Sequence, residues 1–390
     1  MKAAGPLKVW MVCGEESGDQ LGAGLAAALK QRLGSDGVSF GGVGGERLAH
    51  EGLQSLFPLS DIAVMGFIAP IMRLPTLIRR VYQTVKAIVA AQPDVLVIID
   101  SPDFTHAVAK RVRKRLPTLP IVDYVSPSVW AWRPGRARKM AAYVDHLLAL
   151  LPFEPEAHRQ LGGPPCTYVG HRLIEKLPLL RGERKIDHPL ASPPALLVLP
   201  GSRRSEISRL LTVFGETLGQ LHDRGLRFDL VLPAVRHLED EIRQGVAAWK
   251  TPPRIVLGEE AKLQTFQQAD AALAASGTVT LELALAGVPM VVAYRVSNIE
   301  SAILRRLITA PSAVLANLIL GRNAIPEFIQ QDCTVENLSA ALAPLLSETP
   351  ERREQIAALT DVEARMLTGD ETPSERAARI VIDMAGQGRG

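Results

Sequence analysis

The sequence predicts an α/β protein made of two Rossmann-like halves, each a parallel sheet covered by helices on both faces. Three observations lead there. The chain has 390 residues, too many for one ordinary domain and suited to two of about 150–200 each. Short unbroken apolar runs alternate with helical patterns, which is how strands buried on both faces read. The alternation breaks off at a proline- and charge-rich stretch, residues 173–194, and then restarts.

Taken in order, Val9–Cys13 reads as the first strand and Asp19–Leu33 as a helix with Leu21, Leu25 and Leu29 on one face. Val38–Phe40 opens a second strand that ends in Gly41, Gly42, Gly44 and Gly45. Val95–Ile99 and Ile121–Val125 are continuous apolar runs, with Thr105–Leu116 helical between them. Leu147–Leu151 and Tyr168–Val169 are weaker strands. In the second half the strands are Leu196–Leu199, Phe228–Leu232, Ile255–Leu257, Ala271–Ala275 and Met290–Tyr294. Helices are expected at Glu206–Leu221, Lys262–Gln268, Thr280–Ala286, Val335–Leu346, Arg352–Met366 and Glu375–Met384. Such sheets take ligands at strand C-termini, so the residues just after each strand are the functional candidates.

Composition narrows the class. Hydrophobic residues at 47% and charged residues at 22% exclude a disordered chain or a fibre. A net charge of +3 is far from a dedicated nucleic-acid binder and suits nucleotide phosphates or an anionic membrane surface. Cys13, Cys166 and Cys333 lack metal-ligand spacing, and three cysteines do not make a disulfide framework. The apolar run at the N-terminus breaks at Gly14 and Glu15, too early for a secretion signal. No segment reaches the ~18 apolar residues of a membrane span. A cytosolic protein is expected.

Five post-strand segments carry candidate chemistry. Gly14–Asp19 joins strand to helix, where free N–H groups face an anion; Ser17 or Asp19 would serve equally as a plain cap. Asp100 and Asp103 follow the strand Val95–Ile99, Asp100 suited to general base catalysis and Asp103 to substrate contact or helix capping. Ser126, Trp130 and Arg133 share a loop whose tryptophans suit a sugar or base, or else core packing. Gly201-Ser202-Arg203 opens a helix after the first strand of the second half and reads as a diphosphate site. Ser276-Gly277-Thr278 is a similar turn, with Glu282 one helical turn on as a ribose ligand or a first-turn acid. No HxH or HxxxH pair occurs among the histidines, so no metal is expected. Gly66–Tyr82 and Asn298–Leu307 mix apolar residues with arginines, which fits a bilayer, an acylated ligand or core packing.

Together these segments resemble the lipid-A-disaccharide synthase family. The resemblance rests on GEESGDQLGAGL at 14–25, SLFPLSDIAVMG at 55–66, PDVLVIIDSPDF at 93–104, YVSPSVWAWR at 124–133 and LLPFE at 150–154. It continues through PCTYVGHRL at 165–173, LPGSRRSEI at 199–207, ASGTVTLELAL at 275–285, PMVVAYR at 289–295 and NLILGR at 317–322. The chain departs from the family pattern at Ala69, commonly glutamate, and at Ala316, commonly proline.

The resemblance implies a GT-B fold, two halves facing a central cleft: an acceptor domain over 1–172, a linker over 173–194 and a UDP-sugar domain over 195–366. The helix within 367–390 would return to the first domain. It implies an inverting transfer from UDP-2,3-diacylglucosamine to 2,3-diacylglucosamine 1-phosphate, forming a β-1,6 disaccharide of lipid A and releasing UDP. Asp100 would be the catalytic base, and Arg203 would stabilise the departing diphosphate. Gly201, Ser202, Ser276, Gly277, Thr278, Glu282, Asn317 and Arg322 would bind the nucleotide. Ser17, Asp19, Asp103, Ser126 and Trp130 would lie on the acceptor side. Ile68, Ile71, Met72, Leu77, Arg79 and Arg80 would meet acyl chains or the anionic inner-membrane surface. No cofactor and no nucleic acid enter this expectation. A UDP-sugar epimerase of the same two-lobed fold and a non-enzymatic bilobed binding protein are the alternatives.

Overall fold

The structure, a computed structural model, describes residues 5–62, 69–184, 186–297, 300, 307 and 309–387, with backbone alone at 69–73 and 387. The chain forms two compact units, residues 1–172 with 368–390, and residues 173–367.

The first unit is built on strands β1 (Leu7–Cys13), β2 (Val38–Val43), β3 (Gln54–Ser55), β4 (Val95–Ile99), β5 (Ile121–Tyr124), β6 (His146–Ala149) and β7 (Cys166–Tyr168). All pairings are parallel, in the order β3-β2-β1-β4-β5-β6-β7. Successive strand side chains point to opposite faces, and here both faces are covered. Val95, Val97 and Ile99 join a core with Val9, Met11 and Leu25, whereas Leu96 and Ile98 join another with Val12, Val85 and Val108. That is why β4 is an uninterrupted apolar run: each side chain has a core to enter, worth about 1.5–3 kcal/mol apiece. The C-terminal helix Pro373–Gln387 packs on the helix Glu16–Leu33 and buries Ala377, Ala378, Val381 and Ala385 in the first of these cores.

The second unit repeats the plan with β8 (Ala195–Leu199), β9 (Asp229–Ala234), β10 (Arg254–Leu257), β11 (Ala271–Ala275), β12 (Met290–Tyr294) and β13 (Glu327–Ile329). Its order is β10-β9-β8-β11-β12-β13, again parallel. Leu196, Val198 and Leu273 pack under Leu210, Phe214 and Leu218 of the helix Arg204–Asp223.

Two local features add to this plan. The stretch 173–194 is more than a connector: its helix Leu177–Arg181 packs on the helices Glu259–Gln268 and Thr278–Ala286, and Arg181 pairs with Glu363. From Ala69 on, the apolar stretch that ends at Tyr82 belongs to the helix Ala69–Ala91, with Pro75 inside it.

Candidate active site

In the first sheet the strand order reverses between β1 and β4, and in the second between β8 and β11. Connections leave such a switch point in opposite directions, so a crevice opens at the strand C-termini. Cys13 pairs with Ile99, which brings Gly14–Ser17 and Asp100 out side by side. Ala274 pairs with Leu199, which does the same for Gly201–Arg203 and Ser276–Thr278.

Asp100 leaves β4 in the left-handed region at φ 57°, followed by Ser101 at φ 44°. Aspartate tolerates this conformation better than most side chains. The turn is packed against Gly14, where a Cβ would lie 2.1 Å from the Ser101 Cβ, so only glycine fits. Asp100 Oδ1 accepts the Ser101 N–H at 2.7 Å, and Oδ2 accepts the Ser17 hydroxyl at 2.7 Å. The Thr105 hydroxyl donates to the Asp100 carbonyl at 2.7 Å. The carboxylate is therefore aimed, and its Oδ2 is held by a rotatable hydroxyl. Such an oxygen can accept a proton from an incoming alcohol within hydrogen-bond reach.

Beside this turn lies an apolar pocket of about 460 Å³, lined by Leu74, Leu77, Ile78 and Tyr82 with Glu15 and Asp103 at its polar edge. Leu74, Ile78 and Tyr82 are exposed large hydrophobic residues on one face of the helix Ala69–Ala91. The membrane residues of the sequence reading divide here. Leu77 packs on the core, and Arg80 is held by Asp61 and Gln83 while stacking on Phe57 at 4.6 Å. Arg79 is exposed. Ile68 and the side chains of Ile71 and Met72 lie outside the described residues, as does most of 298–307.

Three acceptor-side candidates are tied into the fold. Asp19 is buried, and its carboxylate accepts the N–H groups of Gly45, Arg47 and Leu48 at 2.6, 3.0 and 3.2 Å, closing the start of the helix Glu46–His50. Ser126 is buried against His158 Nε2 at 2.8 Å. Trp130 packs edge-on against Phe153 at 5.1 Å and donates its Nε1–H to Glu154 at 3.2 Å. Burial pushes the Glu154 carboxyl up to about 7, against the lowering effect of N–H donors from Leu151, Trp130 and Leu150. Asp103 stays exposed in the first helical turn, 3.4 Å from Arg136.

In the second unit, Gly201, Ser202, Arg203, Ser276, Gly277, Thr278 and Glu282 open onto one cavity of about 540 Å³. Gly201 has φ 115°, and a Cβ there would meet Glu206 Oε2 at 2.4 Å. Arg203 is the N-cap of the helix Arg204–Asp223, its carbonyl accepting the Glu206 N–H at 3.0 Å. The Ser202 and Arg203 N–H groups donate back to Glu206 Oε2 at 3.0 and 3.2 Å, so a carboxylate of the chain itself lies in this backbone turn. The Arg203 guanidinium is 77% exposed and touches Glu206 at 3.2 Å, leaving most of its donors for a ligand. The first-turn N–H groups of the helix Thr278–Ala286 carry the partial positive charge of a helix start.

Glu282 is paired with Lys262 at 2.7 Å, so any ribose contact is shared with that ammonium. Lys262 and Arg236 line the cavity and escape the sequence reading; their positions just beyond β10 and β9 are the signal that could have found them. Asn317 does not reach the cavity. It is buried, accepting the Ala324 and Ile325 N–H groups at 3.0 and 2.9 Å and donating to the Ile325 carbonyl at 2.9 Å. Arg322 is exposed and stands apart from the cavity lining.

Comparison with known proteins bears on the family and the fold. The family model for lipid-A-disaccharide synthetase matches residues 9–381. The lipid-A-disaccharide synthase of Nitrobacter hamburgensis is 56% identical over 384 residues, 98% of this chain and 97% of the relative. That of Bradyrhizobium diazoefficiens is 54% identical over 383 residues, 98% and 97%. Among solved structures, MurG of Acinetobacter baumannii superposes with TM-score 0.58 at 12% identity, covering 97% of this chain and 100% of that one. A UDP-GlcNAc 2-epimerase from Neisseria meningitidis gives the same TM-score and identity, covering 97% and 99%. At such identities the superpositions speak for a shared GT-B fold alone. Family membership comes from the matches along nearly the whole sequence, and on them the chain belongs to the lipid-A-disaccharide synthase family.

Proposed function

We propose that the chain is an inverting glycosyltransferase of lipid A biosynthesis that joins UDP-2,3-diacylglucosamine to 2,3-diacylglucosamine 1-phosphate. The observation that carries this reading is the pairing of chemistries at the two switch points. An aimed carboxylate beside an apolar pocket marks the first unit, and an arginine-lined cavity beside a helix start marks the second. The acceptor 6-hydroxyl gives its proton to Asp100 as its oxygen bonds to the anomeric carbon of the donor. The anomeric carbon–phosphate oxygen bond breaks, and UDP leaves with the electron pair. Arg203 and the helix start at Thr278 offset the charge that builds on the diphosphate. Glu282 and Lys262 hold the nucleotide's sugar end.

Leu74, Ile78 and Tyr82, with Arg79 alongside, supply the apolar and cationic surface by which such a protein rests on an anionic inner membrane from the cytoplasmic side. No helix of the described residues is long and apolar enough to cross a membrane. The test is incubation with both acylated sugars, with UDP and disaccharide measured together. Disaccharide in step with UDP is expected. An epimerised donor formed without acceptor, or no UDP at saturating substrate, would reject the reading.

A further inference from the structure

Adjoining the apolar pocket of the first unit is a second cavity of about 550 Å³, the two sharing Pro102, Asp103, Ala107 and Arg111. Its wall carries Lys110, Arg111, Arg133, Arg136 and Lys139 against one carboxylate, Asp103. Asp103 lies 3.4 Å from Arg136. Among the described residues, none of the other four cations has a carboxylate within ion-pair distance. Five cations converging on a concavity repel one another unless an anion joins them, and the field they make there concentrates anions.

The cluster is also held in place. The exposed Trp132 ring lies under both the Arg133 and the Arg136 guanidinium, at 4.3 and 5.9 Å. Lys110 sits over the Tyr143 ring at 5.0 Å. Tyr143 is fixed in turn by a hydrogen bond to His106 Nδ1 at 2.9 Å, and His106 Nε2 lies 3.1 Å from the buried Asp123. Core packing does not require this convergence, since Lys110, Arg133 and Lys139 are solvent-exposed.

We infer that this cavity binds a phosphate monoester whose carrier is acylated, the chains entering the adjoining apolar pocket. Resting on the function proposed above, the ligand is the 1-phosphate of the acceptor, and the five cations set the enzyme's preference for a phosphorylated acceptor. An anionic phospholipid headgroup offers related chemistry, and the experiment separates the two.

Lys110→Gln/Lys139→Gln and Arg133→Gln are compared with wild type, thermal melting serving as the fold control. Rates are measured with diacylglucosamine 1-phosphate and with the same sugar lacking phosphate. Charge-assisted phosphate contacts lead us to expect a wild-type KM about 10–100-fold lower for the phosphorylated acceptor. Each variant should raise that KM about tenfold while leaving the phosphate-free acceptor and the donor KM unchanged. An unchanged KM, or equal damage with both acceptors, would overturn the assignment. So would loss of binding to phosphatidylglycerol vesicles with the acceptor KM intact, which points to a headgroup. If wild type makes no disaccharide at all, the function fails but the cavity is still tested by titration with dodecyl phosphate. Wild type should then bind it at least tenfold more tightly than Lys110→Gln/Lys139→Gln, and equal affinity would end the proposal.

Discussion

Replacing Asp100 with asparagine separates the chemistry of that residue from its role in the turn. The left-handed backbone at φ 57° is open to asparagine about as readily as to aspartate. The side-chain carbonyl can still accept the Ser101 N–H that now lies 2.7 Å from Oδ1. The new amide faces the Ser17 hydroxyl, 2.7 Å from Oδ2 in the native protein, and that hydroxyl can rotate to accept. Stability should therefore change by less than about 1 kcal/mol, one neutral hydrogen bond standing in for a charge-assisted one. What the amide cannot do is take a proton. Loss of a positioned general base costs about 10²–10⁴ in turnover, or roughly 3–5 kcal/mol of barrier. Asp100→Ala adds damage of another kind, because alanine at positive φ costs about 1–2 kcal/mol and leaves the Ser101 N–H without its acceptor. The assay is UDP release at saturating acceptor, with a urea melt of each variant. Asp100→Asn that turns over within a few-fold of wild type would remove Asp100 as the base. A loss of turnover in Asp100→Asn that tracks a fallen melt would assign the residue to the turn alone.

Three other outcomes are expected. Arg203→Ala should weaken UDP binding and turnover together, by about tenfold or more, and intact UDP affinity would reject the diphosphate role. Glu154 has a folded-state pKa raised from 4.5 to about 7, so folding favours its protonated form. That contribution is complete below the unfolded value and fades as pH rises through about 7, a change of about 3 kcal/mol. Glu154→Gln should remove this pH dependence, read as the difference between urea midpoints of the two proteins, and parallel curves would refute it. Leu74→Gln/Ile78→Gln should reduce sedimentation with anionic vesicles several-fold without lowering the melting temperature, both side chains being about half exposed; a large fall in melting temperature would make the face part of the core.

Strands such as β4 and β11 are legible in the sequence because burial on both faces forbids polar residues, leaving short unbroken apolar runs. Helix starts shift by two or three residues, as with Arg204 in place of Glu206, because the first turn is set by capping contacts that a hydrophobic period does not record. β3 and β13 escape the period because two- and three-residue edge strands are too short to show it. The turns at Asp100, Gly201 and Ser276 are legible for a topological reason: they follow strands at the point of order reversal. The structural ties of Asp19, Ser126 and Asn317 are not legible because a polar residue beside such a turn looks alike whether it meets a ligand or ties a neighbouring loop. Only the partners of its oxygen tell, and these come from residues 26 and 32 positions away for Asp19 and Ser126. The basic cavity stays hidden for a similar cause. Lys110 and Lys139 lie on separate helices, and no spacing rule connects them.

The return of the C-terminal helix has a consequence for the order in which the chain can fold as it leaves the ribosome. Residues 173–367 are contiguous and are all synthesised before the last helix is made. The earlier-synthesised sheet, by contrast, must wait with the groove that receives Ala377, Ala378 and Val381 still open. The part translated first is thus sealed last, and a nascent chain stalled short of residue 373 would present that unfilled apolar seam to chaperones.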